Sequence, residues 1–488
     1  DRSPSRGLGD VYKRQGQREA YQEAAASPSG ANHIPAPEIQ RKARMAKPEI
    51  GQVANVDFPA VERTRLSNGM EVIYAHRDAT PTTKIAIDFD AGLAADDRSK
   101  LGLQTLMLDL MDEGAGGLNA TQLAEAQEAL GASITTGATM DSSVIQLSAL
   151  TPNLQPSVAL LADVVRNPTF APAELERLRA TRLSRIAAER TQPAALASRA
   201  LPELIYGPDS PYGRPFSGAG DEASVKAITD ADIRADYAKW IRPDNAKIFI
   251  VSDRPLSEVT PILDAAFGQW VPPASAKPVK DFSAPIPATT RKIVLIDRPQ
   301  SPQSYIMGGE VLGVTGKDDL LVLNAANNVL GNDFLSRINT DLRETKSWSY
   351  GVNASVNPFA GRVPYLVTAP VQADKTGPAI EALNQQFADF LSGGKGVTAE
   401  ELQRTINGNT RRLAGSYETS AAVLGTMRTN DLLGRPDDYP ETVAARTNAL
   451  TAAQLDAAAK AAIDPSRFVW VVVGDASVVK PQLSLIHI

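Results

Sequence analysis

The chain has no cysteine and only three histidines, His33, His76 and His487, among 488 residues, and no two of them lie at helical spacing. Disulfides and thiolate metal sites are therefore excluded, and no ready-made histidine cage for zinc exists anywhere in the sequence. The lack of thiols fits either a reducing cytoplasm or an oxidising compartment in which stray thiols are avoided. No apolar run approaches the length needed to cross a bilayer. A basic excess is missing too: Asp and Glu outnumber Lys and Arg by 56 to 50. That balance argues against a nucleic-acid partner, which calls for a clustered basic face.

Both ends read as translated DNA adapter. Asp10-Val11-Tyr12-Lys13-Arg14-Gln15 and Leu483-Ser484-Leu485-Ile486-His487-Ile488 can be encoded by the two complementary strands of one oligonucleotide, and Ser5 to Gly9 resembles the rest of such an adapter. Residues 1–15 and 483–488 are set aside on this ground, and His487 enters no metal argument. The excluded residues carry a net charge of +2, so the remainder carries −8 against −6 for the whole chain. Any leader, upstream domain or final helix is expected to have been cut away.

Residues 16–58 are rich in Ala, Pro, Gln and Glu without a sustained apolar period, the composition of an exposed connector. Strand-like alternation follows at 72–75 and 83–90, with a turn at 77–81 that carries His76 at its edge. Helical patterns cover 102–111 and 121–130, strands return at 133–137 and 143–149, and helices cover 156–165 and 172–190. At 272–289 the chain turns Pro, Ala and Lys rich, as a linker does.

After the linker the same order recurs. Strands at 292–297 and 303–308, helices at 320–330 and 334–345, and strands at 349–356 and 365–369 repeat the first series. Ala173-Glu174-Leu175-Glu176-Arg177 is echoed by Glu400-Glu401-Leu402-Gln403-Arg404, and the closing strand 247–253 by 468–475. The expectation is α+β: two homologous domains, residues 59–271 and 290–482, each a mostly antiparallel sheet with helices packed on one face.

The chemistry-bearing pattern is the stretch from Val329 to Gly351, in which Arg343 on a helix precedes Tyr350 by seven residues. Taken alone, Arg343 reads as pairing with a nearby acid and Tyr350 as packing at a strand start. Other candidates have plain explanations. His33 and His76 read as surface residues, Asp109 with Asp112-Glu113 as a solvated helix end, and Gly308-Gly309, Gly331 and Gly393-Gly394 as turn glycines. Asp141-Ser142-Ser143 has no well-placed histidine to act as base, which argues against a serine-hydrolase triad.

The two-domain repeat, together with Leu330-Gly331-Asn332-Asp333-Phe334-Leu335-Ser336-Arg337, Leu342-Arg343-Glu344 and Ser349-Tyr350-Gly351, resembles the M16 zinc metallopeptidases, the insulinase and pitrilysin family that includes the mitochondrial processing peptidase. The likeness covers about residues 59–482. In that family the active half carries His-x-x-Glu-His on a helix, both imidazoles facing the ion and the glutamate activating water. The matching helix here reads Thr105-Leu106-Met107-Leu108-Asp109, so Thr105, Leu108 and Asp109 stand at the ligand and base positions. The third ligand is expected near Ser184 or Arg185, neither acidic, and Glu189 a turn further on reads as a solvated helix charge.

Arg343 and Tyr350 keep the spacing at which the family contacts substrate carbonyls. The resemblance therefore implies the metal-free half of a divided peptidase, with no cofactor of its own. An HxxEH-bearing half, fused upstream or separate, would supply the zinc, and the substrate would be a polypeptide. The long connector favours fusion. A periplasmic or secreted setting is implied by resemblance only. The competing reading is an M16-like scaffold or assembly subunit without proteolytic duty.

Overall fold

A computed structural model describes residues 56–484 apart from Gly393. His33, His487, most of the connector and most of the adapter-like ends lie outside the described residues, as does Gly393.

The first half runs β1 (Val61–Arg65), β2 (Glu71–His76), β3 (Thr82–Phe89), α1 (Leu103–Met111), the short ladder β4 (Gly114–Ala115) and β5 (Leu118–Asn119), then α2 (Ala120–Leu130), β6 (Ser133–Ala138) and β7 (Ser143–Leu150). Helices α3 (Leu154–Arg166), α4 (Pro172–Glu189), α5 (Pro193–Tyr206), α6 (Glu222–Ala227) and α7 (Asp230–Trp240) follow, before β8 (Ala246–Ser252) and α8 (Leu256–Phe267). The second half repeats this with β9 (Lys292–Asp297), β10 (Gln303–Thr315), α9 (Leu321–Asn327), α10 (Arg337–Asn339), β11 (Asn353–Val356) and β12 (Arg362–Gln372). It closes with α11 (Thr376–Leu391), α12 (Ala399–Ser416), α13 (Ser420–Leu432), α14 (Tyr439–Asn448), α15 (Ala452–Ala462), β13 (Val469–Gly474) and α16 (Ala476–Leu483).

The sheets carry the repeat over five strands each, with β1 as an additional edge strand in the first. The first is ordered β1-β2-β8-β3-β7-β6 and the second β9-β13-β10-β12-β11, read from its far edge. In both, the first strand of the shared five pairs parallel with the closing one, β2 with β8 and β9 with β13, and every other pairing is antiparallel. Sequence signals set the helix starts in both copies: Thr229 with Asp232 and Thr451 with Gln454 form capping boxes at α7 and α15.

Each half packs its own helices on one face of its sheet, as the repeat implies. The opposite face is covered by a helix from the other half. On β8, Ile248 and Ile250 face the first half's own core, while Phe249 and Val251 pack with Val423, Leu424 and Met427 of α13. On β13, Trp470 and Val472 face the second core, while Val469, Val471 and Val473 pack with Leu201, Ile205 and Tyr206 of α5. Strands buried on both faces read as unbroken apolar runs rather than alternation, which is how 248–251 and 469–473 are written. The exchange makes the two halves one unit.

Polar contacts reinforce that seam. The Tyr212 hydroxyl donates to buried Asp141 and accepts from Gly361 N at 2.9 Å, and Asp141 also accepts from Ala360 N at 2.8 Å. Arg428 Nε of α13 donates to both carboxylate oxygens of Asp88 of β3, at 2.8 and 2.9 Å. The segment between α8 and β9 has no helix or strand but is strapped down: Lys280 pairs with Asp90 at 2.7 Å, and Arg242 donates to Ser275 O at 2.8 Å.

Helix α1 stands on a buried polar base. Gly102 caps it at φ 92, where a side chain would meet the Ala219 carbonyl oxygen at 3.0 Å. Asp96 accepts from Gly102 N and Gln104 N, both at 2.7 Å, and Gln104 Nε2 donates to Asp236 at 2.8 Å. Burial, with Asp96 nearby, pushes the Asp236 carboxyl up to about 8. The folded state thus keeps a proton that the unfolded chain gives up at about pH 4. Stability should therefore fall as pH rises from about 4 towards 8 and level off above. Urea titrations at several pH values should show Asp236→Asn, which mimics the neutral side chain, flattening this slope; an unchanged slope would place the proton elsewhere.

Candidate functional site

Two places bear on function: the α1 helix, where a metal motif is expected, and the segment from Leu330 to Val352.

On α1, Leu108 is fully buried in the first core, and Thr105 and Asp109 lie one turn apart beside α4. The group between them is the Arg182 guanidinium, which donates to Thr105 Oγ1, to Asp109 and, at 3.1 Å, to Gly218 O. Thr105 Oγ1 donates to the same carbonyl at 2.7 Å. The Arg182 side chain is only 6% exposed, so its charge is matched locally by Asp109. A fixed organic cation therefore bridges Thr105 and Asp109, while Leu108 turns into the core. Threonine, leucine, one aspartate and an arginine do not fit a zinc ion. Among the described residues, no group of three or more His, Asp or Glu is placed to share an ion.

Arg182 was not singled out by spacing, which pointed to Ser184 and Arg185. Ser184 is bonded back to Ala180 O at 3.0 Å, and Arg185 pairs with Glu189 at 3.2 Å. Glu189 is not a solvated helix charge: it also binds Arg199 at 2.8 Å and is 13% exposed. Nor are the carboxylates at the end of α1 simply solvated. Glu113 pairs with Arg177 at 2.5 Å, and burial, with Glu113 beside it, pushes Asp112 up to about 6. His76 is the last residue of β2 rather than a turn residue, its Nδ1 3.0 Å from the Tyr74 hydroxyl. Asp141 belongs to the inter-half seam and not to a nucleophile.

In the second half the expected helices at 320–330 and 334–345 are shorter and wider. α9 passes into a π turn at Asn328–Asn332, and α10 into another at Thr340–Thr345 that carries Arg343. Asparagine side chains bond along and beside these turns. Asn332 donates to Asn328 Oδ1 at 2.8 Å and Asn327 to Ala354 O at 2.8 Å. Gly331 passes so close to β11 that a side chain would meet the Ala354 methyl at 2.4 Å. π turns of this kind concentrate at functional sites.

Arg343 stacks over the Phe334 ring at 4.4 Å and its Nε lies 3.3 Å from Glu344; the side chain is 35% exposed. Tyr350 does not pack at a strand start, since β11 begins only at Asn353 and the tyrosine is 90% exposed. Its backbone is nonetheless fixed. Ser349 Oγ donates to Pro370 O at 2.5 Å, Gly351 N donates to Ser349 Oγ at 3.1 Å, and Val352 N donates to Asn339 Oδ1 at 2.9 Å. Between the two residues Ser347 takes a left-handed φ of 56, a conformation a serine holds only under constraint. Neither residue lines the cavity of about 710 Å³ between the halves, whose walls include Asp88, Tyr212, Lys247 and Arg428.

A repeated α+β half with two sheets of matching order defines an M16-type fold, in a chain without an HxxEH sequence. The chain matches the family description "Insulinase (Peptidase family M16)" over residues 71–216 and "Peptidase M16 inactive domain" over residues 227–409, and it belongs to the M16 family. It is 21% identical over 377 residues to "Uncharacterized zinc protease ML0855" of Mycobacterium leprae, covering 76% of this chain and 80% of that one. It is 22% identical over 382 residues to "Non-peptidase homolog YmxG" of Helicobacter pylori, covering 76% and 84%. Among solved structures, the M16 inactive domain from Pseudomonas fluorescens superposes with a TM-score of 0.76 at 26% identity, over 85% of this chain and 98% of that one. The periplasmic protease PqqL from Escherichia coli superposes with a TM-score of 0.72 at 17% identity, over 96% of this chain and 51% of that one.

If Arg182 holds α1 against α4 in place of an ion, Arg182→Met should destabilise the chain by about 2 kcal/mol, because Asp109 loses its donor and Gly218 O keeps only Thr105 Oγ1. Adding Asp109→Leu should restore part of that loss. Chemical denaturation of both variants measures it; a single substitution without effect would mean that the clamp is dispensable.

Proposed function

We propose that this chain is the metal-free half of a two-half M16 peptidase, which positions a polypeptide for hydrolysis by an HxxEH-bearing half. The observation that carries this reading is the Tyr350 side chain, held out 90% exposed on a backbone bonded on both sides. A tyrosine with a structural duty is normally buried against something. Here the phenol O–H is free to donate outward. Arg343, steadied by Phe334 and Glu344, offers further N–H donors on the same segment.

Donors fixed in advance are suited to peptide carbonyl oxygens. They hold an extended substrate in register and favour charge that develops on the carbonyl oxygen as the bond is attacked. In this reading the chain supplies alignment and hydrogen bonds. Zinc and water activation belong to the other half, because Thr105, Leu108, Asp109 and Arg182 offer neither. PqqL is about twice as long as the part this chain matches, which leaves room there for a second half on one polypeptide, and a periplasmic or secreted setting is part of the proposal.

The second reading is an M16-like assembly subunit. The pairing of Arg343 with Glu344 favours it, since that contact occupies part of the guanidinium. A turnover assay separates the two. Adding this chain to an HxxEH-bearing half should restore cleavage of an unfolded polypeptide, and Arg343→Ala or Tyr350→Phe should lower turnover roughly 100-fold with assembly intact. Unchanged turnover in both variants would favour the assembly role.

A further inference from the structure

Beside the Arg–Tyr pair, the chain exposes two large apolar side chains in succession, Phe334 at 60% and Leu335 at 51%. Burying either would stabilise the fold by about 1.5–3 kcal/mol. Their exposure does not follow from a loose backbone. Asn339 Nδ2 donates to Phe334 O at 2.6 Å, Arg404 donates to Leu335 O at 3.3 Å, and Ser336 N donates to Asp333 O at 2.9 Å. Asn339 is itself buried, and its Oδ1 accepts from Val352 N. One amide thus ties the turn bearing Phe334 to the turn bearing Tyr350.

The surroundings are selective in charge. Arg343 lies on the Phe334 ring, Arg404 reaches Leu335 O, and Arg412 lies 3.5 Å from Asp333, so three guanidinium groups frame the turn. Against them stand Asp333 and Glu344. The balance is one positive charge in excess beside an apolar surface.

We propose that Phe334 and Leu335 form a subsite for a large apolar side chain of an extended polypeptide, and that the arginines around it favour an acidic residue next to that side chain. This deepens the reading of Arg343 and Tyr350 as a substrate grip and rests on it: the phenol and guanidinium address the peptide backbone, and the neighbouring turn reads its side chains. Tyr and Arg, which stand beside this apolar pair, are among the residues in which binding energy concentrates.

The test uses the full chain and three fluorescein-labelled peptides of equal length: one carrying leucine and phenylalanine next to glutamate, one with serine in the apolar places, and one with lysine in place of glutamate. Fluorescence anisotropy should show saturable binding of the first, with the serine and lysine peptides weaker by roughly tenfold or more. Phe334→Ser/Leu335→Ser should bring the first peptide down to the level of the serine peptide, while Phe334→Tyr should retain binding and report an intact fold. Equal binding of all three peptides, no saturable binding, or an unaltered double variant would overturn the proposal. Selective binding combined with turnover indifferent to Arg343→Ala and Tyr350→Phe would leave the subsite standing and remove the grip.

Discussion

The contact on which this molecule turns is the guanidinium of Arg182 lodged between Thr105 and Asp109. A zinc ion in that position would bring two helices together through shared ligands and would also polarise water. An arginine performs only the first task. Its planar fork of donors satisfies a carboxylate, a hydroxyl and the Gly218 carbonyl at once, so α1 and α4 remain joined across a charge that is neutralised in place. It has no open coordination position and no acidic water. The two helices are thus joined by an organic cation, and Leu108 between Thr105 and Asp109 in sequence is buried in the first core.

The second constraint is the exchange of helices. Because α13 covers the back of the first sheet and α5 the back of the second, neither sheet has a spare face and the halves cannot rotate freely without exposing Phe249, Val251, Val471 and Val473. The consequence reaches the Arg–Tyr segment. β12, against which β11 is paired, contributes Leu366 to the packing under α5, so the platform presenting Tyr350 is continuous with the seam between the halves. An exposed pair of donors is useful for alignment only when the scaffold beneath it is rigid, and this scaffold is held on both faces.

Much of this was legible in the sequence. The repeat appeared as matching strand and helix patterns, and the similar apolar strands ending each copy were part of it, although the expectation of helices on one face left their second face uncovered. What they could not announce was which helices cover the second face, since that depends on contacts between residues such as Leu201 and Val471, far apart in sequence. The missing metal motif was visible from Thr105, Leu108 and Asp109 alone. Arg182 was not: its side of α4 is set by helical phase against α1, which spacing along the sequence does not give. The only available signal was an arginine in the middle of an amphipathic helix, which is ordinary. Local backbone was the least legible part, because the asparagine-rich run from Asn327 to Asn339 widens into π turns through side-chain bonds that helical periodicity does not encode. The same run conceals Asn339, whose two amide bonds set the Phe334 and Tyr350 turns relative to each other.

The central claim is that a resident cation has taken over the metal's structural place. Elemental analysis of the purified full chain after equilibrium dialysis against zinc tests it most directly. The account predicts no stoichiometric, tightly held ion in the native chain. One zinc per chain, retained through exhaustive dialysis and lost with Asp109→Ala, would contradict it.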